Sequence, residues 1–288
     1  MCDSDNHQGY IADTSFTRRS VVLTISSVAA VAGLPSTALA ADVTETDVMV
    51  PTPDGSADAV LLHPVGSGSW PAVLMWPDIL GLRPVFREMG RRLAAEGYTV
   101  LVPNPFYRTK RAPIVTGAFD FNDSKQRDSV MSLRSTLTDA GIDKDAAAFI
   151  TFLDRQKQTN RRKGAGVQGY CFSGPFAFHA AAVRSDRIRA VGTFHGGGLV
   201  TTDANSPHLL IPKTKASFVV AIARNDDQKQ PDAKDVLKAA FRSARRPAVV
   251  EVYPADHGWC VPGSQAYDQP SAERAWAELL RLYRSNLV

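Results

Sequence analysis

Apolar residues in this chain come in short unbroken runs, separated by stretches in which they recur every three or four positions. The run Ala72–Trp76 is typical of the first kind, and it fits a strand buried on both faces. Similar runs predict strands at Tyr98–Val102, Gly164–Gly169, Arg189–Phe194, Ser217–Ala223 and Ala248–Tyr253. Ahead of them, Val43–Val50 and Ala59–His63 flank the turn residues Pro53, Asp54 and Gly55 and predict a hairpin. Helical spacing fills the intervals. Val85, Met89, Leu93 and Ala94 predict a helix over Pro84–Gly97. Further helices are predicted over Asp123–Leu137, Lys144–Lys157, Gly174–Val183, Asp232–Ala244 and Ser271–Asn286. Strands alternating with helices predict an α/β fold, a mostly parallel sheet with helices on both faces, in one domain spanning residues 41–288.

Composition narrows the class. With 44% hydrophobic and 22% charged residues in 288, the chain is neither disordered nor collagen-like nor a coiled coil. Three cysteines are too few for a disulfide scaffold and lack paired metal-ligand spacing. The net charge of +4 is spread along the chain and does not imply nucleic acid. Near the start, Arg18-Arg19 precedes the apolar run Ser20–Gly33, then Pro35 and the small-residue triplet Ala38-Leu39-Ala40. That order predicts a removable export signal over residues 1–40. The run is too short for a membrane span, which needs about 20 residues, so no membrane association is expected once the signal is gone. The arginine pair resembles a twin-arginine signal and places the protein in the periplasm or outside the cell. The plainer alternative is an N-terminal tail with no targeting role.

Chemistry concentrates in Gly169-Tyr170-Cys171-Phe172-Ser173-Gly174, which runs from a predicted strand through a tight turn into a helix. In α/β-hydrolases a turn of this kind holds the nucleophile above the sheet, flanked by small residues because strand and helix backbones nearly touch. Here Cys171 stands at the nucleophile position, and a helix N-terminus beside a sulfur favours the reactive thiolate. A buried structural cysteine is the bland alternative. Two later segments weigh against it. The strand Ser217–Ala223 ends in Arg224-Asn225-Asp226-Asp227, and Ala248–Tyr253 is followed by Pro254-Ala255-Asp256-His257. Nucleophile, acid and histidine thus follow in the α/β-hydrolase order, each on a loop after a strand. Spacing alone leaves Asp226 and Asp227 equal as the acid. The residue after the nucleophile, Phe172, is expected to supply one N–H of an oxyanion hole.

These segments resemble the dienelactone hydrolase family, whose elbow reads Gly-Tyr-Cys-x-Gly-Gly against Gly169-Tyr170-Cys171-Phe172-Ser173-Gly174 here. The likeness covers roughly residues 45–286. It implies an α/β-hydrolase fold and a Cys-His-Asp triad of Cys171, His257 and Asp226. The expected substrate is a small ester or lactone, cleaved through a thioester. That thiol chemistry needs no metal or cofactor, and none is expected. The turn Ala223-Arg224-Asn225-Asp226 favours Asp226 over Asp227. The resemblance also implies the Ile79 N–H as the second oxyanion donor. Asp78 stands where the family has a thiol-activating Glu, one methylene longer. Arg127 matches the first of two arginines that grip the family's substrate carboxylate, while the second position holds Val261. The carboxylate clamp is therefore expected to be incomplete.

Among the remaining residues, His195 follows a strand in Phe194-His195-Gly196 near the expected rim of the site and is a candidate substrate contact. His63, His179 and His208 are expected to be structural. Trp76, Phe106, Tyr107 and Trp259 are read as pocket lining or ordinary core. Cys171 and Cys260 are expected to be free thiols, the alternative being a disulfide between them. A monomer or small homo-oligomer is expected. Two further readings stay open: a general carboxylesterase or thioesterase, and a periplasmic binding protein that keeps the fold without turnover.

Overall fold

The computed structural model describes residues 42–288; the predicted export signal lies outside the described residues. The chain opens with the hairpin β1 (Val43–Thr52) and β2 (Gly55–Pro64), then β3 (Ala72–Trp76), α1 (Pro84–Ala95) and β4 (Thr99–Pro103). A long connection leads to α2 (Ser124–Ser135) and α3 (Asp139–Arg155), followed by β5 (Ala165–Tyr170), α4 (Gly174–Val183) and β6 (Ile188–Phe194). The last third contains α5 (Pro207–Leu210), β7 (Ser217–Ala223), α6 (Arg224–Lys229), α7 (Ala233–Ser243), β8 (Ala248–Tyr253) and α8 (Gln269–Asn286). The strands form one sheet in the order β1-β2-β4-β3-β5-β6-β7-β8. β1 and β2 pair antiparallel, β2 and β4 likewise, and the rest is parallel.

Burial follows sheet position. Every residue of the central strands β3, β4 and β5 is buried, Thr99 and Gln168 included, as strands covered on both faces require. The edge strand β8 leaves Ala248 and Val249 exposed. Burying each large side chain of this core contributes about 1.5–3 kcal/mol. Helix starts rest on side-chain caps: Asp123 accepts from the N–H groups of Lys125 and Gln126, Thr138 from Gly141, and Asp268 from Ser271.

Among the elements that differ from the sequence pattern, three show why. The third helix starts at Asp139 rather than Lys144, because Thr138 caps it and Gly141 falls in the first turn, where a glycine costs little. α1 buries Leu93 and Ala94 as predicted, but Phe86 and Gly90 in place of Val85 and Met89. A Cβ on Gly90 would lie 3.0 Å from Leu62 Cδ1, so this glycine lets the helix approach β2 closely. α6 begins directly where β7 ends, in a stretch too polar to read as a helix. Among the described residues no helix is long and apolar enough to cross a membrane.

Candidate active site

The parallel strands β5, β7 and β8 end on the same side of the sheet, and the three candidate triad residues follow them. Cys171 comes immediately after β5 with φ 57°, a left-handed conformation unusual outside glycine. Its neighbours explain how the turn tolerates this. A Cβ on Gly169 would lie 2.2 Å from the Ser173 carbonyl oxygen, and one on Gly174 2.7 Å from Gly196 Cα. Ser173 stands where the family pattern has glycine and uses its hydroxyl. Its Oγ accepts from the Tyr170 N–H at 3.0 Å and lies 3.1 Å from the Trp76 carbonyl, tying the turn to the end of β3. Tyr170 is anchored in turn. Gln168 donates to its hydroxyl at 2.8 Å and itself accepts from Tyr283 at 2.8 Å. Burial pushes the Tyr170 phenol well up, so it stays protonated in this chain of bonds.

His257 lies on the loop after β8, with Nε2 3.1 Å from Cys171 Sγ and Nδ1 2.7 Å from Asp226 Oδ2. The first turn of α6 carries Asp226 into that position. The two loops are bound by their backbones as well: Arg224 N–H donates to the Ala255 carbonyl, and His257 N–H to Asn225 Oδ1, both at 2.9 Å. Asp227, indistinguishable by spacing, points elsewhere and pairs with Lys234 at 2.8 Å. Asn225 escaped the sequence reading because asparagine before an acid carries no pattern of its own.

His195 is fully buried, with φ 41°. Its ring lies 4.8 Å from that of His257, edge to face, and its Nδ1 is 3.4 Å from Cys260 Sγ. The second thiol therefore faces His195 while the first faces His257. Burial pushes the Cys260 thiol well up. Neither cysteine is in a disulfide.

Asp78 follows β3 and gives both carboxylate oxygens to Arg83, at 2.5 and 2.8 Å, with both side chains buried. Ile79, next to it, is buried as well, as is Phe172. Phe172 stacks on Phe106 at 5.6 Å, and Trp76 meets Phe176 edge-on at 5.5 Å; Trp76, Phe106, Tyr107 and Trp259 are all buried. Arg127 stands on α2 with its guanidinium turned to the Phe121 carbonyl at 3.3 Å. Val261 is fully buried. His63 faces the Pro64 carbonyl, His179 the Asp143 carboxylate and His208 the Ser206 hydroxyl. A cleft of about 400 Å³ borders Phe172 and Phe176 and is rimmed by Arg134, Asp139, His179 and Asn205. The described residues contain no group of three or more side chains suited to hold a metal.

Comparison with known proteins gives a family and several relatives and solved structures. The model of the dienelactone hydrolase family matches residues 57–287. Carboxymethylenebutenolidase 1 of Cupriavidus pinatubonensis is 26% identical over 215 residues, covering 74% of this chain and 86% of that protein. Among solved structures, the dienelactone hydrolase-like promiscuous phosphotriesterase P91 from metagenomic libraries has a TM-score of 0.69 at 21% identity, covering 85% of this chain and 99% of that one. Dienelactone hydrolase from Anabaena variabilis has a TM-score of 0.58 at 17% identity, with coverage of 85% and 99%. At these identities the structural likeness speaks for the fold, which is that of the α/β-hydrolases.

Proposed function

The chain belongs to the dienelactone hydrolase family, and we propose that it is an exported hydrolase of lactones and small carboxylic esters whose nucleophile is Cys171. Membership makes it a hydrolase acting on ester bonds. The observation that carries the finer reading is the relay Asp226–His257–Cys171, with contacts of 2.7 and 3.1 Å on a left-handed turn.

In this reading His257 takes the Cys171 proton, and the sulfur attacks the carbonyl carbon of the ester. Asp226 holds the imidazole in the tautomer that presents Nε2 to the sulfur and steadies the imidazolium. The N–H groups of Phe172 and Ile79 stabilise the oxyanion of the tetrahedral intermediate. As that intermediate collapses, the C–O bond breaks and the alcohol leaves with the proton from His257. A thioester to Cys171 remains. His257 then deprotonates a water, which attacks the thioester and releases the acid and the thiol. No partner beyond the small-molecule substrate is needed. Export rests on the Arg18-Arg19 pattern and its apolar run.

A broader esterase range is the second reading, favoured by the arginine positions. With Arg127 bound to Phe121 and Val261 in the second position, the paired grip on a substrate carboxylate is not assembled. Turnover on a panel of nitrophenyl esters and enol-lactones, charged and neutral, tests both. Hydrolysis lost in Cys171→Ala supports the nucleophile, and a preference for neutral esters supports the broader range. Hydrolysis retained in Cys171→Ala would remove Cys171 from the mechanism.

A further inference from the structure

The turn between β3 and α1 is held at several points by one buried ion pair. Arg83 Nη1 and Nη2 reach Asp78 Oδ1 and Oδ2 at 2.5 and 2.8 Å, and the two residues are 3% and 0% exposed. Nη1 also donates to the Gly81 carbonyl at 3.3 Å. Within the turn, Leu80 N–H donates to Asp78 Oδ1 at 3.0 Å and Gly81 N–H to the Asp78 carbonyl at 2.8 Å. Gly81 has φ 71°, which closes the turn without side-chain strain. Arg83 is also the residue from which α1 starts. Its carbonyl accepts from the N–H groups of Phe86 and Arg87, and its guanidinium lies 5.0 Å from the Phe86 ring. The turn's own bonds consume the N–H groups of Leu80 and Gly81 and leave that of Ile79, between them and Asp78.

A buried ion pair adds little net stability once both charges have lost their water. What a planar guanidinium with two parallel bonds adds is fixed direction. We propose that Arg83 is a positioning residue for the oxyanion site: with Asp78 it forms a strut that holds the turn so that the Ile79 N–H meets the developing oxyanion. Asp78 then serves the turn and not the thiol, in contrast to the thiol-activating part that the family resemblance implies for its position. The inference rests on Cys171 as nucleophile and Ile79 as oxyanion donor.

The strut acts where negative charge develops on oxygen, so its loss lowers kcat and leaves KM nearly unchanged. Iodoacetamide separates this from thiol activation. Alkylation forms a carbon–sulfur bond as iodide leaves a saturated carbon and the thiol proton passes to base; no oxyanion arises. Two variants keep the buried site free of a lone charge: Arg83→Lys, and the double variant Asp78→Asn with Arg83→Gln. In the double variant kcat on nitrophenyl acetate is expected to fall about tenfold or more, with KM and the rate of Cys171 alkylation within about twofold of wild type. Arg83→Lys should retain part of the rate, because an ammonium keeps the charge but not the paired geometry. An unchanged kcat in both variants overturns the proposal. So does alkylation that falls in step with kcat, or an alkylation pH midpoint that rises in the double variant, since either places Asp78 and Arg83 behind the thiol. Cys171→Ala in the wild-type background separates the two levels: turnover surviving there refutes the nucleophile itself, whatever Arg83 does.

Discussion

Two cysteine–histidine pairs lie side by side in this molecule, in different surroundings. Cys171 and His257 approach to 3.1 Å, Cys260 and His195 to 3.4 Å, and the two imidazoles are 4.8 Å apart. Contact between thiol and imidazole is therefore common to both pairs, and their surroundings differ. Cys171 sits on a left-handed turn that leads into α4. Its histidine is aligned by Asp226 at 2.7 Å. Cys260 lies three residues beyond His257 in a loop among apolar neighbours, and burial raises its pKa. The Nδ1 that meets a carboxylate in His257 meets a thiol in His195. A helix start after the thiol and a carboxylate on the imidazole distinguish the first pair, whereas each pair contains one left-handed residue, Cys171 in the first and His195 in the second.

The sharpest way to break this contrast is to remove each sulfur. Cys171→Ala should reduce nitrophenyl ester hydrolysis at least about a thousandfold. Cys260→Ala should stay within about threefold in rate and lose about 1 kcal/mol of stability, read by thermal melting. Equal losses in rate would mean that both pairs take part in turnover.

The carboxylate comes next. Asp226→Asn should lower kcat/KM about a thousandfold or more by presenting the wrong tautomer, while Asp227→Asn, which frees Lys234, should have an effect of a few-fold at most. A larger loss at Asp227 would reverse the assignment. The backbone of the elbow comes third. Gly169→Ala drives a Cβ to 2.2 Å from the Ser173 carbonyl oxygen. We expect a loss of about 1–3 kcal/mol or more in denaturant unfolding, together with lost activity. A stable and active Gly169→Ala protein would show that the turn is not as tight as described.

The smallest effect is the pH response of Cys260. Its folded pKa is raised by burial, so the protonated thiol is the native form. Below the unfolded thiol pKa of about 8.5 this contribution to stability is complete, and it is lost as pH rises toward the folded value. Wild type should therefore lose more melting temperature between about pH 8 and pH 10 than Cys260→Ala does. Equal slopes would mean that the Cys260 thiolate is as well solvated in the fold as outside it.

The chain's own pattern already determined the alternation of strands and helices, the elbow and the order of the three site residues. Apolar runs and glycines report local constraints, and those survive whatever the tertiary context. Ala72–Trp76, Gly174–Val183, Ser217–Ala223 and Ala248–Tyr253 appear in the fold with the bounds their patterns predict. Tertiary structure decided the rest. Asp226 and Asp227 are neighbours with equal chemistry, and only the start of α6 at the end of β7 turns the first toward His257 and the second toward Lys234. His195 reads as a rim residue because it follows a strand, yet the left-handed turn there swings its ring beside His257. Arg83 carried no signal at all. Its pairing with Asp78 depends on a turn whose geometry comes from β3, Gly81 and α1 together, and long-range placement of that kind is not written in the spacing of residues along a chain.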